Sequence, residues 1–307
     1  MGKSTREAYG EALVELGAGN EKIVVMDADL SGSTKTGTFR KAFPDRFFNF
    51  GIAEADMVCA AAGFAFSGYI PFASTFAIFG TGRAYEQIRN TVAYTGANVK
   101  IACTHAGLSV GEDGGSHQAL EDLSLMRTLP GLTVFVPCDA AEAKKAVKAA
   151  VDIEGPVYLR LSRPNVDDIT DESSPFVPGK ANVLRDGSDA AIFATGLMVS
   201  RALKAAELLE QEGISAAVLN FHTIKPIDTE AILGYNGKVR AIVTAEEHFT
   251  VGGLGSAVAE VLAGHAGARF DRVGVEDRFG QSGKPDDLFR EYGLTAENIA
   301  AKVKALL

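Results

Sequence analysis

A chain of 307 residues, 47% of them hydrophobic, is long enough to bury a sizeable core and to divide into two domains. Its 30 basic residues against 39 acidic ones leave a formal charge of −9, which argues against a broad nucleic-acid or membrane-surface footprint but leaves room for a small anion held by local arginines. The first residues carry no apolar signal region, Arg6 stands where a myristoylation signal wants Ser or Thr, and no apolar stretch approaches the roughly 20 residues needed to span a bilayer. Cys59, Cys103 and Cys138 lie far apart in apolar surroundings without a CxxC pair, and are expected to be reduced core thiols of a cytoplasmic protein.

Along the chain, short β-branched runs alternate with longer amphipathic ones. The pattern predicts a helix over 5–16, a strand over 22–26, a helix from Glu54 to Gly68 and a strand over 69–74. A helix over 82–93, a strand over 99–104, a helix over 117–129, a strand over 133–136, a helix over 140–151 and a strand over 157–161 follow. Periodicity stops between 164 and 180, where Pro164, Pro175 and Pro178 stand among acids and serines; this segment is expected to be an interdomain linker. Beyond it come strands over 190–194, 216–219 and 239–244, with helices over 197–212, 254–262 and 297–306. Helices between apolar strands imply an α/β protein of two domains, 1–163 and 181–307, each a mostly parallel sheet with helices on both faces.

Glu54 opens a segment otherwise rich in small and apolar residues, Ala55 to Phe66. A carboxylate at the mouth of a buried helix loses solvation and becomes able to share a proton with a ring nitrogen; the plainer reading, a first-turn acid facing the helix dipole, stays open at this point. Gly2-Lys3-Ser4 lacks the leading glycine and strand of a phosphate loop, and the glycines around Gly80 and Gly252 lack a full dinucleotide fingerprint. Gly107-Leu108-Ser109-Val110-Gly111 matches GxSxG, but the turn at Glu112-Asp113-Gly114-Gly115 replaces the helix that a nucleophile elbow needs. His117 and Glu121, four apart, could face a metal together, yet no third ligand stands at sensible spacing.

The unusual stretch is 104–118, with His105, His117, Glu112, Asp113 and four glycines on one loop after a predicted parallel strand, where open α/β sheets place ligands. Histidines can move protons to and from substrate hydroxyls, and the glycines are expected to let backbone approach a ligand closely.

Asn49 to Met57, Ser74 to Phe79, Thr104-His105, Gly111 to Gly114 with His117-Gln118, Val136 to Asp139 and Leu161 to Arg163 together resemble the C-terminal half of transketolase, in the family's order and over essentially the whole chain. The resemblance implies a pyrimidine-binding domain followed by the family's C-terminal domain, and ketol transfer between sugar phosphates with thiamine diphosphate bound at a subunit interface. It makes Glu54 the acid that contacts the cofactor's aminopyrimidine, where a shared proton favours the imino tautomer that removes the thiazolium proton. Phe76 and Phe79 match aromatic positions around that ring, and the family often has tyrosine at the position of Gly82. His105 and His117 resemble the histidines that handle donor and acceptor hydroxyls, and Asp113 the acid that reads a sugar hydroxyl. Arg6 and Arg163 resemble phosphate-binding arginines, Ser33 their assistant, and Asp29 an interface residue near the cofactor. Deoxyxylulose-phosphate synthase is similar around Glu54 but usually has aspartate at His105 and Tyr-Pro-Arg where Leu161-Ser162-Arg163 stands; pyruvate dehydrogenase beta subunits depart further.

No Gly-Asp-Gly, the family's diphosphate and magnesium motif, occurs anywhere in the sequence. The resemblance therefore implies a split enzyme, with Mg2+ held mainly by a separate N-terminal-half subunit in a heterotetramer and this chain also pairing with its own copy. A non-catalytic binding protein of the same fold is the other class of reading, which the set of Glu54, His105, Asp113, His117 and Arg163 disfavours.

Overall fold

Apolar runs of four or five residues without polar alternation suit strands buried on both faces, and residues 23–26, 190–194 and 216–219 take up that role. The computed structural model describes residues 2–307. Its strands are β1 (Ile23–Asp27), β2 (Phe47–Asn49), β3 (Ile70–Phe76), β4 (Lys100–Thr104), β5 (Thr133–Phe135), β6 (Val157–Arg160), β7 (Asn182–Arg185), β8 (Ala190–Ala194), β9 (Ala216–Asn220), β10 (Thr223–Lys225), β11 (Ala241–Phe249) and β12 (Arg269–Val275). They form a seven-stranded sheet of order β10-β5-β6-β4-β3-β1-β2 and a five-stranded sheet of order β12-β11-β8-β9-β7. Pairing is parallel in both except at β10 against β5 and β7 against β9, so the expected mostly parallel α/β architecture is present twice.

In the first sheet β2 and β3 lie on opposite sides of β1, so the chain reverses there the direction in which it adds strands. Crevices that bind ligands open at such a point, outside the carboxyl ends of the strands. The register aligns those ends, with Asp27 beside Ser74, Phe76 beside Thr104 and Cys103 beside Arg160. Residues that follow β1, β3, β4 and β6 therefore share one edge.

Helices cover both faces. Thr5–Gly19 starts at a capping box in which Ser4 and Glu7 satisfy each other's backbone donors, which accounts for the Gly2-Lys3-Ser4 run. It packs Ala8, Tyr9, Ala12 and Leu13 with Ala143, Ala146, Val147 and Ala150 of helix Ala140–Asp152. On the other face, helix Glu54–Phe66 buries Glu54, Met57, Val58, Ala61 and Ala62.

Several expectations need correction. Helix Glu54–Phe66 is buried on one side only, and Cys59, expected in the core, is exposed; Cys103 and Cys138 are buried as expected. The helix expected over 82–93 begins at Ile78 and is wound as π-helix over Ile78–Arg83 and Ile88–Ala93, with the Ala84 amide reaching the Phe79 carbonyl at 3.2 Å. Such turns gather at functional sites. The helix expected over 117–129 spans only Asp122–Arg127, because Ala119 bridges to Ala106 and Leu120 accepts from the Phe249 amide at 2.8 Å, which keeps that backbone extended. Segment 164–180 has no helix or strand but is pinned: Asp139, which caps helix Ala140–Asp152, also accepts from the Ile169 amide and the Thr170 hydroxyl, each at 2.8 Å. Among the described residues no helix is long and apolar enough to cross a membrane.

Candidate active site

Glu54 is the first residue of its helix and only 1% exposed. Its charge is met by Arg83, whose Nη1 donates to Oε2 at 2.8 Å and to Oε1 at 3.0 Å. The guanidinium lies 4.7 Å from the centre of the Phe79 ring. Phe79 and Phe76, at the carboxyl end of β3, are nearly parallel at 13° with centroids 5.9 Å apart. Asn49 ties the loop before Glu54 to the turn after β1, accepting from the amides of Asp29 at 3.0 Å and Gly51 at 3.1 Å. Asp29 thus sits exposed beside the entry to Glu54.

The turn carrying Ser33 and Lys35 is shaped by buried Asp27, which accepts from Thr34 at 2.7 Å, Thr36 at 2.8 Å and the Leu30 amide at 2.5 Å. Burial pushes the Asp27 carboxyl up from its ordinary value, and these donors offset part of that cost. Arg6 reaches from helix Thr5–Gly19 to the Ser33 carbonyl at 2.8 Å and the Arg163 carbonyl at 3.1 Å. Arg163, half-buried after β6, donates to the Val110 carbonyl and to Glu112 at 3.3 Å. Burial and the neighbouring Arg163 push Arg6 below its ordinary value, so an anion placed between the two guanidiniums would relieve their repulsion.

His105 links the two halves. Its ring stacks on Phe76 at 3.8 Å and 24°, while Nδ1 is 2.8 Å from the Thr104 hydroxyl and Nε2 is 3.5 Å from Arg6 Nη1. Arginine only donates, so Nε2 is the bare nitrogen and Nδ1 carries the proton toward Thr104. Burial first, then Arg6, Arg163, His117 and Lys35, holds the imidazole down to about 3, so it is a neutral base at physiological pH. His117 presents its ring edge to Phe79 at 5.4 Å and Phe76 at 6.5 Å. Asp29, Lys35 and His105 all have left-handed backbone (φ 64°, 71° and 58°) without being glycine. Strain of this kind gathers at functional sites.

The histidine's sign sets a pH dependence. The unfolded chain takes up a proton at this position near 6.5 and the folded chain only near 3, so the stability it contributes is complete above pH 6.5 and is lost as pH falls toward 3. We expect denaturant midpoints of a His105→Gln variant to fall less steeply than the native chain's over that window. Buried His222, held down to about 4, retains part of the slope.

Sequence and structure differ over the rest of the loop. The glycines of 104–118 serve close approach to the second sheet's loops more than to a ligand: a Cβ on Gly107, at φ +81°, would meet the Glu247 carboxyl carbon at 2.4 Å, and one on Gly115 the Gly280 carbonyl at 2.6 Å. Gln118 donates to the Gln281 carbonyl at 3.0 Å and Glu247 accepts from the Ser109 amide at 2.5 Å, fixing the loop from behind. Ser109 is buried with its hydroxyl on the Ala106 carbonyl, and no histidine stands beside it, so GxSxG is a turn here. His117 and Glu121 share no helix, and among the described residues no group of three or more His, Cys, Asp or Glu is arranged to hold a metal. Asp113 lies on the same loop, exposed at its tip. Arg83 and Lys35 were not legible as site residues: the first depends on a contact 29 residues back, the second on a left-handed turn.

The match to known families follows this geometry. Residues 1–168 match the transketolase pyrimidine binding domain and residues 179–299 the transketolase C-terminal domain. The chain belongs to the transketolase family. Among its relatives is a putative transketolase C-terminal section of Methanocaldococcus jannaschii, 48% identical over 98% of this chain and 95% of that protein. Another is the 6-deoxy-6-sulfo-D-fructose transketolase subunit of a Clostridium species, 43% identical over 96% and 91%. A solved split-gene transketolase, an inactive beta4 tetramer, superposes with a TM-score of 0.94 at 54% identity, covering 100% of this chain and 99% of that one. A transketolase pyrimidine-binding domain implies the thiamine diphosphate family of cofactor use. The residues present fit a flat aminopyrimidine: a buried carboxylate stands near a nearly parallel aromatic pair of which Phe79 is partly open to solvent and Phe76 is buried.

Proposed function

We propose that this chain is the pyrimidine-binding subunit of a two-chain ketol transferase that moves a two-carbon unit between anionic sugars. In this reading it spans a pyrimidine-binding domain (1–163), a linker (164–180) and a C-terminal domain (181–307). A separate subunit supplies the diphosphate and Mg2+ site. The observation that carries the reading is the convergence of Glu54, Phe76, Phe79, His105, His117, Arg6 and Arg163 on one sheet edge. Glu54 would hold the proton of the pyrimidine nitrogen and the two phenylalanines would flank the ring. Bound thiamine diphosphate supplies the carbon nucleophile that takes up the ketol unit. His105, bare at Nε2, is placed to accept a substrate hydroxyl proton, and His117 to share that work. Arg6 and Arg163, with the Ser33 turn, would hold the sugar's anion, Asp113 would read a hydroxyl, and Asp29 would lie at the subunit boundary near the cofactor.

Exposed apolar side chains support a partnered enzyme, which this reading places in the cytoplasm. Ile52 is 78% exposed, Phe66 66% and Tyr94 88%, a surface better suited to contact with the partner subunit or a second copy than with water. The relatives' descriptions as a C-terminal section, a split-gene enzyme and a sulfosugar transketolase subunit support the division into two chains, and leave phosphate and sulfonate as the two anions to compare.

Arg163→Ala tests the substrate half. Loss of a charge-assisted contact should raise the KM for sugar phosphates by about 2 to 3 kcal/mol of binding and change that for unphosphorylated sugars far less. Equal losses for both would assign Arg163 to bracing the Val110 and Glu112 loop. A larger loss for sulfonated than phosphorylated sugars would name the sulfonate as the preferred anion.

A further inference from the structure

We infer that Arg83 guards Glu54: in the chain without cofactor it holds the carboxylate and covers Phe79, and it swings aside when a flat cationic ring is seated there. This rests on the reading of Glu54 as the pyrimidine acid.

The two partners of the ion pair are held very differently. Glu54 is 1% exposed at the start of a packed helix, whereas the Arg83 side chain is 50% exposed. If the pair opens, the arginine is the partner that moves. Half of its side chain already faces solvent, and the backbone beside it is open too, since a Cβ placed on neighbouring Gly82 would meet nothing nearer than Ile78 Cδ1 at 4.0 Å.

The carboxylate's need for a partner is chemical. An ionised carboxylate buried without a counter-charge or donors is strongly disfavoured, so something must meet Glu54 in every state of the chain. Arg83 Nη1 engages both oxygens, at 2.8 and 3.0 Å, and its guanidinium lies 4.7 Å from the Phe79 centroid. A protonated aminopyrimidine offers the same two things, an N–H for the carboxylate and a flat face for the phenylalanine. Arginine and ring therefore compete for one acid and one aromatic surface. A site whose competent form is only part of the population binds more weakly by that fraction. If the arginine holds Glu54 in about nine chains of ten, its removal tightens cofactor binding about tenfold.

The test has one arm without cofactor and one with it. In the chain alone, Arg83→Gln should lower the thermal midpoint at neutral pH, and adding Glu54→Gln should remove most of that difference, since the unpaired charge is gone. An equal loss in both backgrounds would mean that Arg83 supports the fold independently of Glu54 and would overturn the inference. In the assembly with the diphosphate-binding subunit, calorimetry with thiamine diphosphate and magnesium should give about tenfold tighter binding for Arg83→Gln, with Arg83→Lys between it and the native chain. Should Arg83→Gln fail to fold, the gain shown by Arg83→Lys decides the matter. Native or weaker affinity in these variants, beside normal binding by the native assembly, would show that Arg83 stays on Glu54 with the cofactor bound. Absence of cofactor binding by the native assembly would instead remove the reading of Glu54, and this inference with it.

Discussion

Glu54→Gln should slow solvent exchange of the cofactor's thiazolium proton in the assembled enzyme by about 10²- to 10⁴-fold, the range that a positioned proton-transfer group supplies. The amide keeps the volume of the carboxyl group and can still accept a hydrogen bond from Arg83, so the helix that starts at residue 54 keeps its packing against the sheet. It cannot carry the proton that the ring nitrogen must share. The chain should therefore fold and assemble while this step fails, a pattern that separates a chemical role from a structural one. Proton exchange followed by NMR reads the step directly. Exchange at the native rate in the variant would show that another group supplies the proton and that Glu54 serves as a helix-terminal acid.

Much of the fold is legible because the central strands are uninterrupted apolar runs: residues 190–194 are expected as a strand and form β8 with the same bounds. The strands that escape the pattern lie at sheet edges or are very short. β12, with Arg269, Asp271 and Arg272 in its first four residues, and β10, three residues long, carry too little apolar periodicity to announce themselves. Helix Pro285–Glu291 is short and rich in charge, for the same result.

The site divides in a similar way. His105 is legible because a loop with two imidazoles is unusual where it stands, whereas Phe76, Arg6 and Arg163 are reached only through the family resemblance; the register of β1, β3, β4 and β6 brings Phe76, His105 and Arg163 to one edge, and helix Thr5–Gly19 carries Arg6 to it. What the sequence does not carry is the partner of each group. Gly107 and Gly115 read as room for a ligand, but the atoms they make room for belong to Glu247 and Gly280, more than a hundred residues away. Arg83 reads as one more helical cation until Glu54 is found beside it, and Lys35 takes its place near His105 through a backbone conformation that its side chain does not foretell.

The second large effect concerns the assembly. The pyrimidine half of thiamine diphosphate offers one stacked ring and a few hydrogen bonds, while its diphosphate needs a cation and backbone donors of the kind the absent Gly-Asp-Gly motif provides. In the isolated chain Arg83 occupies the carboxylate as well. We therefore expect a folded chain that binds cofactor weakly and turns over no sugar, and that gains both properties when a diphosphate-binding subunit covers the apolar surface around Ile52 and Phe66. Calorimetry with thiamine diphosphate and magnesium, followed by a ketol-transfer assay, measures this on the chain alone and on the mixture. Weak binding and silence alone, with tight binding and turnover in the mixture, is the result expected; tight binding and turnover by the single chain would contradict the account.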